Sequence, residues 1–360
     1  MHSSHMPVYY AGFEVGSALS GLAVFPADDL MLAQDVVTLP SFIADGDITT
    51  LLKGSDLDAT LSDVLREREY VLVWQGRTYF LGDLLEQGTH LDNAFSNEQR
   101  YCSVHAQVLL LCLACMLIPE RHFELRLVTA LPVSLYDRER RYQVRRALSQ
   151  TYRFTLNGRE REVVVKCGYV AMEGQGILIH CGDAHSEQAV IDIGERTTDL
   201  VAAHGQRLIG RLCKGETFGV GELVEALQQL VHRHRRALPV EKAHSVLHAY
   251  AHHLPYPSIN TATGPLSHEE ITTTIQDALQ RVARPLSSLL ASTWNVEGAS
   301  AGSQFDTIYL GGGGAYYFEA VVRSTLRDCS IVTVPDPQDA NIRGYAELAL
   351  SLDEARWEIL

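Results

Sequence analysis

Short runs of β-branched and apolar residues, broken by turns rich in Gly, Asn and Pro, alternate along the chain with longer segments of helical period. Ala189–Val201 predicts two strands about a tight hairpin turn. Asp192, Gly194, Thr197, Thr198 and Asp199 cluster there, where backbone N–H groups are exposed. Tyr9–Val24 repeats that organisation: Glu14, Gly16, Ser17 and Ser20 stand where Asp192, Gly194, Glu195 and Thr198 stand later. Val36–Ala44 predicts a short strand ending at Pro40, and the polar segment 45–69 is loosely helical. Tyr70–Trp74 and Arg77–Leu81 flank Gln75-Gly76, and Tyr152–Leu156 and Glu162–Val170 flank Asn157-Gly158, both two-residue hairpin signals. Ser96–Ile118 carries a buried helix, Glu124–Pro132 is a strand stopped by Pro132, and Arg138–Ser149 is a basic amphipathic helix with a solvated face. Gly215–Leu227 is a glycine-punctuated loop feeding a helix, Phe305–Ala315 is a strand running into four glycines and a helix, and Ala340–Leu350 starts a final helix. Helices and strands that take turns in this way predict an α/β architecture.

The two acid-x-Gly hairpins suit a phosphate. Glycine lets the backbone approach closely, hydroxyls and N–H groups bond phosphate oxygens, and a carboxylate at a buried strand end holds hydrated Mg²⁺. A polar hairpin is ordinary by itself, but two of matching layout imply two similar lobes facing one nucleotide. The four-glycine turn, Gly311 to Gly314, brings backbone against something flat or charged.

Composition narrows the picture. A chain of 360 residues exceeds what one core usually serves, which predicts two domains or two lobes. An apolar fraction of 46% and a charged fraction of 21% fit a soluble globular protein. The most apolar stretch, Tyr101–Ile118, is interrupted by Ser103, His105 and Gln107, so no membrane contact is expected. A net charge of −14 repels nucleic acid, and any link to DNA would need an adaptor protein. Seven scattered cysteines point to a reducing, cytoplasmic setting, and the Cys112/Cys115 pair falls inside the apolar helix, where core packing outweighs zinc binding. Met1–His5 reads as a cloning remnant. His244, His248 and His252 recur one helical turn apart, with His232 and His234 upstream. With no carboxylate or Cys in the nearby sequence to complete a zinc set, a polar helix face is the better expectation.

In this order, the two hairpins, the Leu131-Pro132 strand end, the glycine run and the terminal Asn341-x-x-Gly344 helix resemble the actin, sugar kinase and heat-shock chaperone ATPase superfamily. Within it, Val128–Tyr136 followed by Asn157-Gly158 and Val163–Val170 is most similar to bacterial and archaeal actin-like proteins of the plasmid-segregation (ParM) type, as is Arg100-Tyr101. The resemblance runs from Pro7 to Leu350. It implies a two-lobed actin-like ATPase fold of duplicated ribonuclease-H-like domains around a nucleotide cleft: domain I over 6–188, domain II over 189–344, and a C-terminal helix over 345–360 returning to domain I.

Carried over residue by residue, Glu14, Gly16, Ser17 and Ser20 form a first phosphate loop and Asp192, Gly194, Thr197 and Thr198 a second. Gly311, Gly312, Gly313 and Ala315 line the adenosine side, and Glu216, Gly219 and Glu222 lie where the family contacts ribose and base. Asp192 and Glu14 are the expected catalytic residues and hold Mg²⁺ through water. Three departures stand out. The usual Asp of the first loop is Glu14, the usual Lys or other polar residue on the following strand is Gly21, and Leu135 occupies the place after Leu131-Pro132 where some relatives carry a water-activating Glu. The implied function is ATP or GTP binding with Mg²⁺, self-assembly into filaments and slow hydrolysis, in DNA or plasmid segregation or cytoskeletal organisation. The rival is a degenerate actin-like scaffold acting through protein partners. A small-molecule kinase is disfavoured because no catalytic Asp facing a substrate pocket stands out.

Overall fold

The computed structural model describes residues 6–27, 35–53, 60–92, 98–262 and 264–358. Met1–His5, part of the polar 45–69 segment (54–59) and Ser96 lie outside them. The chain divides into two compact units, Met1–His180 with Asn341–Leu360, and Cys181–Ala340.

Unit one contains β1 (Val8–Val15), β2 (Leu19–Pro26), β3 (Val37–Pro40), β4 (Ile43–Asp45), α1 (Ile48–Leu52), α2 (Leu61–Val64), β5 (Glu69–Trp74), β6 (Arg77–Gly82), β7 (His90–Asp92), α3 (Val104–Leu117), β8 (His122–Leu131), α4 (Arg138–Leu148), β9 (Gln150–Leu156), β10 (Arg159–Met172) and most of α5 (Gln175–Cys181). Its ten strands form one sheet in the order β3-β2-β1-β8-β10-β9-β5-β6-β4-β7. The hairpins β5/β6 and β9/β10 turn on Gln75-Gly76 and Asn157-Gly158, where all four residues have positive φ, the conformation a two-residue turn of this hand demands.

Alternation along β8 serves two layers. Leu125, Leu127 and Leu131 pack with the buried face of α3, whereas Val128 and Ala130 face a cluster with Tyr345 and Ala349. Two polar residues of α3 bond inside the fold, His105 Nε2 lying 2.9 Å from the Ser41 carbonyl and Gln107 Nε2 donating to the Ala147 carbonyl at 2.7 Å. Burial pushes the Cys112 thiol well up and Cys115 to about 11, and both pack in the core of the unit. Among the described residues no helix is long and apolar enough to cross a membrane.

Unit two contains β11 (Glu187–Ile193), β12 (Thr198–His204), β13 (Arg207–Leu208), β14 (Lys214–Glu216), α6 (Gly221–Arg233), α7 (Val240–Ala251), β15 (Asn260–Thr261), β16 (Gly264–Pro265), α8 (His268–Thr293), β17 (Thr307–Gly311), α9 (Ala315–Thr325) and β18 (Ile331–Thr333). Its sheet runs β13-β12-β11-β17-β18, with β14 also on β12. This repeats the pattern of β3-β2-β1-β8-β10 in unit one. In each unit a central hairpin pairs antiparallel, its first strand pairs parallel with a later strand, and that strand pairs parallel with one more. Helices α6 to α9 close one core around Trp294, which is fully buried and donates its indole N–H to the Leu212 carbonyl at 3.0 Å.

The last helix, α10 (Ala340–Ser351), belongs to unit one. Its sequence signature has a mechanical reason. Buried Asn341 accepts from the Gly174 and Ile177 backbone N–H groups at 3.1 and 3.3 Å, and Gly344 lies backbone to backbone against Gly176. Gly12 of β1 does the same for α10, since a side chain there would strike the Ile342 carbonyl.

Candidate functional site

The two central hairpins are built alike. In unit one Glu14 pairs with Gly21 and Val15 with Ser20, leaving 16–19 as the loop; in unit two Asp192 pairs with Asp199 and Ile193 with Thr198, leaving 194–197. Gly16 is required because a Cβ would run into the Leu19 carbonyl, and Gly194 closes its turn by donating to the Thr197 carbonyl at 2.8 Å.

Around the first loop a polar chain leads inward. Buried Arg100, in the 3₁₀ turn before α3, donates from Nη1 to Ser17 Oγ at 2.9 Å and from Nη2 to Tyr101 Oη at 2.7 Å; that hydroxyl lies 3.5 Å from Glu173 Oε1. Glu173 is itself buried at the end of β10. It was not among the sequence candidates, which looked after Pro132 and found Leu135. Leu135 packs against the hydrophobic core of the unit. The parallel register explains why the carboxylate is Glu173: Met172 sits opposite Leu131, and the Glu173 N–H donates to the Leu131 carbonyl at 2.8 Å. A strand of Val163–Met172 followed at once by an acid and two spaced glycines was the available signal.

Around the second loop, Asp192 and Asp199 are both buried and lie directly opposite across the strands, so their side chains share a face. Two carboxylates on one face are donors of the kind that holds a hydrated divalent cation. Among the described residues no three His, Cys, Asp or Glu side chains cluster as a metal site, but Mg²⁺ held by one or two carboxylates, water and phosphate needs no such cage. The donor set therefore fits Mg²⁺. Asp192 Oδ1 lies so close to Gly312 that a Cβ there would collide with it, and Gly312 takes φ +74°. Gly314 donates to the Ile193 carbonyl at 2.7 Å, so the strand-to-helix turn is pressed onto the end of β11. Gly311 pairs with Asp192, Ala315 begins α9 and is buried, and Gly313, unlike Gly312 and Gly314, has open space around it.

Five of the expected ligand contacts also have neighbours within their own unit. Ser20 is fully buried with its hydroxyl 2.7 Å from that of Ser41, and Thr198, equally buried, donates to the Phe218 carbonyl at 2.9 Å. Both hold the next segment of their own unit. Gly219 lets the start of α6 reach the hairpin, where the Val220 and Gly221 N–H groups donate to the Gly194 and Glu195 carbonyls at 3.1 and 2.7 Å. Glu222 is exposed and lines a charged cavity of about 250 Å³ with Glu225, Asp277, Arg233 and Arg281. Glu216 is exposed on β14 and pairs with Lys214 at 3.1 Å.

The histidine stripe of α7 divides between two environments. His248 and His252 are exposed and lie ring to ring at 4.3 Å, with Tyr316 beyond at 5.6 Å from His252. His244, expected on a free polar face, instead points at the second hairpin, its Nε2 3.4 Å from Glu195 Oε1. Burial opposes its charge, yet the bond to Glu195 and the negative charges of Glu195 and Glu241 outweigh burial and raise its pKa above the usual value. Burial and the same Glu195 push Tyr317 up to about 12.

Two family models match the chain: "Actin like proteins N terminal domain" over residues 34–176 and "Archaeal actin homologue MreB-like, C-terminal" over 190–324. No curated protein matches it. Among solved structures, the archaeal actin homolog Ta0583 is 18% identical at a TM-score of 0.70, covering 96% of this chain and 100% of that one. A 15-stranded ParM filament from Clostridium botulinum is 16% identical at 0.71, with coverage of 96% and 100%. Bacillus thuringiensis ParM with AMPPNP is 12% identical at 0.65, with coverage of 96% and 99%.

Proposed function

Because the chain belongs to the actin-like ATPase superfamily, we propose that it binds ATP or GTP with Mg²⁺ through the hairpins its two units carry, polymerises with copies of itself and hydrolyses the nucleotide slowly. The observation that carries this is the duplicated hairpin, an acid-x-Gly entering a loop of the same length and register in each unit. Relatives of the same fold are described in complex with ADP and AMPPNP and as a filament, which supports the reading. When bound, Mg²⁺ would neutralise phosphate charge; Asp192 and Asp199, with Glu14, are the residues suited to hold its water shell. Ser17 and the loop N–H groups are suited to phosphate oxygens, and Glu173 to orienting a water. A role in DNA segregation or cytoskeletal organisation would run through an adaptor, given the net charge of −14.

Gly21 favours a second reading, a scaffold with little or no turnover, because the strand after the first loop offers no cation there. Sedimentation and light scattering with ATP, GTP or neither, with phosphate release followed in parallel, separate the two. Polymer that forms only with nucleotide and Mg²⁺ supports the first reading. A chain that binds nucleotide in no titration and stays monomeric at tens of micromolar supports the scaffold.

A further inference from the structure

The strand after the first loop offers no cation at Gly21, and a Cβ there would stand 2.5 Å from Ile342 Cδ1 and 3.3 Å from Thr38 Cγ2, so a side chain at this place would have to displace the end of Ile342. We infer that Arg100 supplies the charge instead: its guanidinium is the phosphate-directed cation of the first hairpin, delivered from the turn before α3. The inference rests on the nucleotide reading above.

Arg100 is 9% exposed, and its side-chain hydrogen bonds go to two hydroxyls, those of Ser17 and Tyr101. Among the described residues it forms no ion pair with a carboxylate, its Nε has no partner, and its Cζ lies 4.8 Å from the Tyr101 ring centre. Arginine is almost never so deeply buried unless it is paired. A planar guanidinium of five donors, two engaged by hydroxyls and its Nε–H unmatched, set against the hydroxyl of a glycine loop, is suited to an anion of phosphate geometry. Its placement also orients Ser17. By accepting from Nη1, Ser17 Oγ keeps its own proton free to donate outward from the loop. Glu173, one hydroxyl further along the chain, balances the charge without pairing with it directly.

The test is calorimetric titration of the full chain with Mg-ATP, Mg-ADP and adenosine, in wild type, R100Q and R100K. Gln removes the charge and keeps one amide donor on a shorter stem, and Lys keeps the charge without the fork. R100Q should lose about 10- to 100-fold in Mg-ATP affinity, the range for hydrogen bonds to charged groups, and leave adenosine affinity unchanged. R100K, a cation without the fork, should recover part of the preference for triphosphate over nucleoside. Equal losses for Mg-ATP and adenosine, or an R100Q of native circular dichroism and melting temperature that binds Mg-ATP as wild type does, would overturn the assignment while leaving the nucleotide reading intact. Should R100Q fail to fold, an R100K that weakens Mg-ATP and adenosine equally overturns it instead. A wild type that binds none of the three probes would remove the nucleotide reading itself, and this inference with it.

Discussion

Asn341→Ala tests the way α10 governs the first half of the candidate site. The Asn341 side chain accepts from the backbone N–H groups of Gly174 and Ile177, and both donors are buried with it. Truncation to Ala leaves two N–H groups without that acceptor. An orphaned buried donor costs about 1–3 kcal/mol, so the variant should lose roughly 2–5 kcal/mol in unit one. At about 2–4 °C per kcal/mol for a unit of this size, the melting transition should fall by roughly 5–15 °C. Because Gly174 follows Glu173 directly, the same change loosens the carboxylate, and phosphate release should fall further than nucleotide affinity. Asn341→Asp keeps an acceptor at the same place and should recover part of both losses. Differential scanning calorimetry, run beside a phosphate-release assay, reads the two effects separately. A melting shift below about 2 °C, or an Asp variant as damaged as the Ala variant, would refute the view that Asn341 acts as an acceptor for these two groups.

Three further outcomes are expected. Asp192→Ala removes one of the two opposed carboxylates of β11 and β12, and Mg²⁺ should no longer improve nucleotide affinity; an unchanged Mg²⁺ dependence in calorimetry places the metal elsewhere. Glu173→Gln should slow phosphate release by about 10- to 1,000-fold at unchanged nucleotide affinity, and a variant with wild-type turnover removes Glu173 from the chemistry. His244→Gln should lower the melting temperature most at about pH 6 and hardly at all at about pH 9, because a pKa raised in the folded state stabilises fully only below the unfolded value of about 6.5 and is lost as pH rises through the folded one. A deficit that stays constant or grows with pH contradicts the pairing with Glu195.

Both hairpins were legible in the sequence because a strand pair with glycine at its turn leaves a local signature: Glu14-x-Gly16 and Asp192-x-Gly194 announce themselves. The α/β alternation and the I′ turns at Gln75-Gly76 and Asn157-Gly158 are local in the same sense. What a hydroxyl faces is not. Ser20 and Thr198 read as ligand contacts until Ser41 and Phe218, brought in by β3 and the loop before α6, are seen to occupy them. Glu173 escaped for a related reason, since the strand end beside Pro132 belongs to a strand that begins 27 residues later, at Arg159 of β10. Nor could helical spacing in α7 show that His244 meets a glutamate from another element.

Unit one is discontinuous, and this orders events during synthesis. Unit two, Cys181–Ala340, is contiguous and can complete its core while the chain is still being made. Unit one cannot, because α10 emerges only after all of unit two has been translated. Until then Gly12 and Gly21 face no helix, Gly174 and Ile177 lack their side-chain acceptor, and Glu173 is not fixed. The nascent chain therefore carries unit one unfinished, its first hairpin and the turn after Glu173 without their α10 contacts, until the final helix is in place.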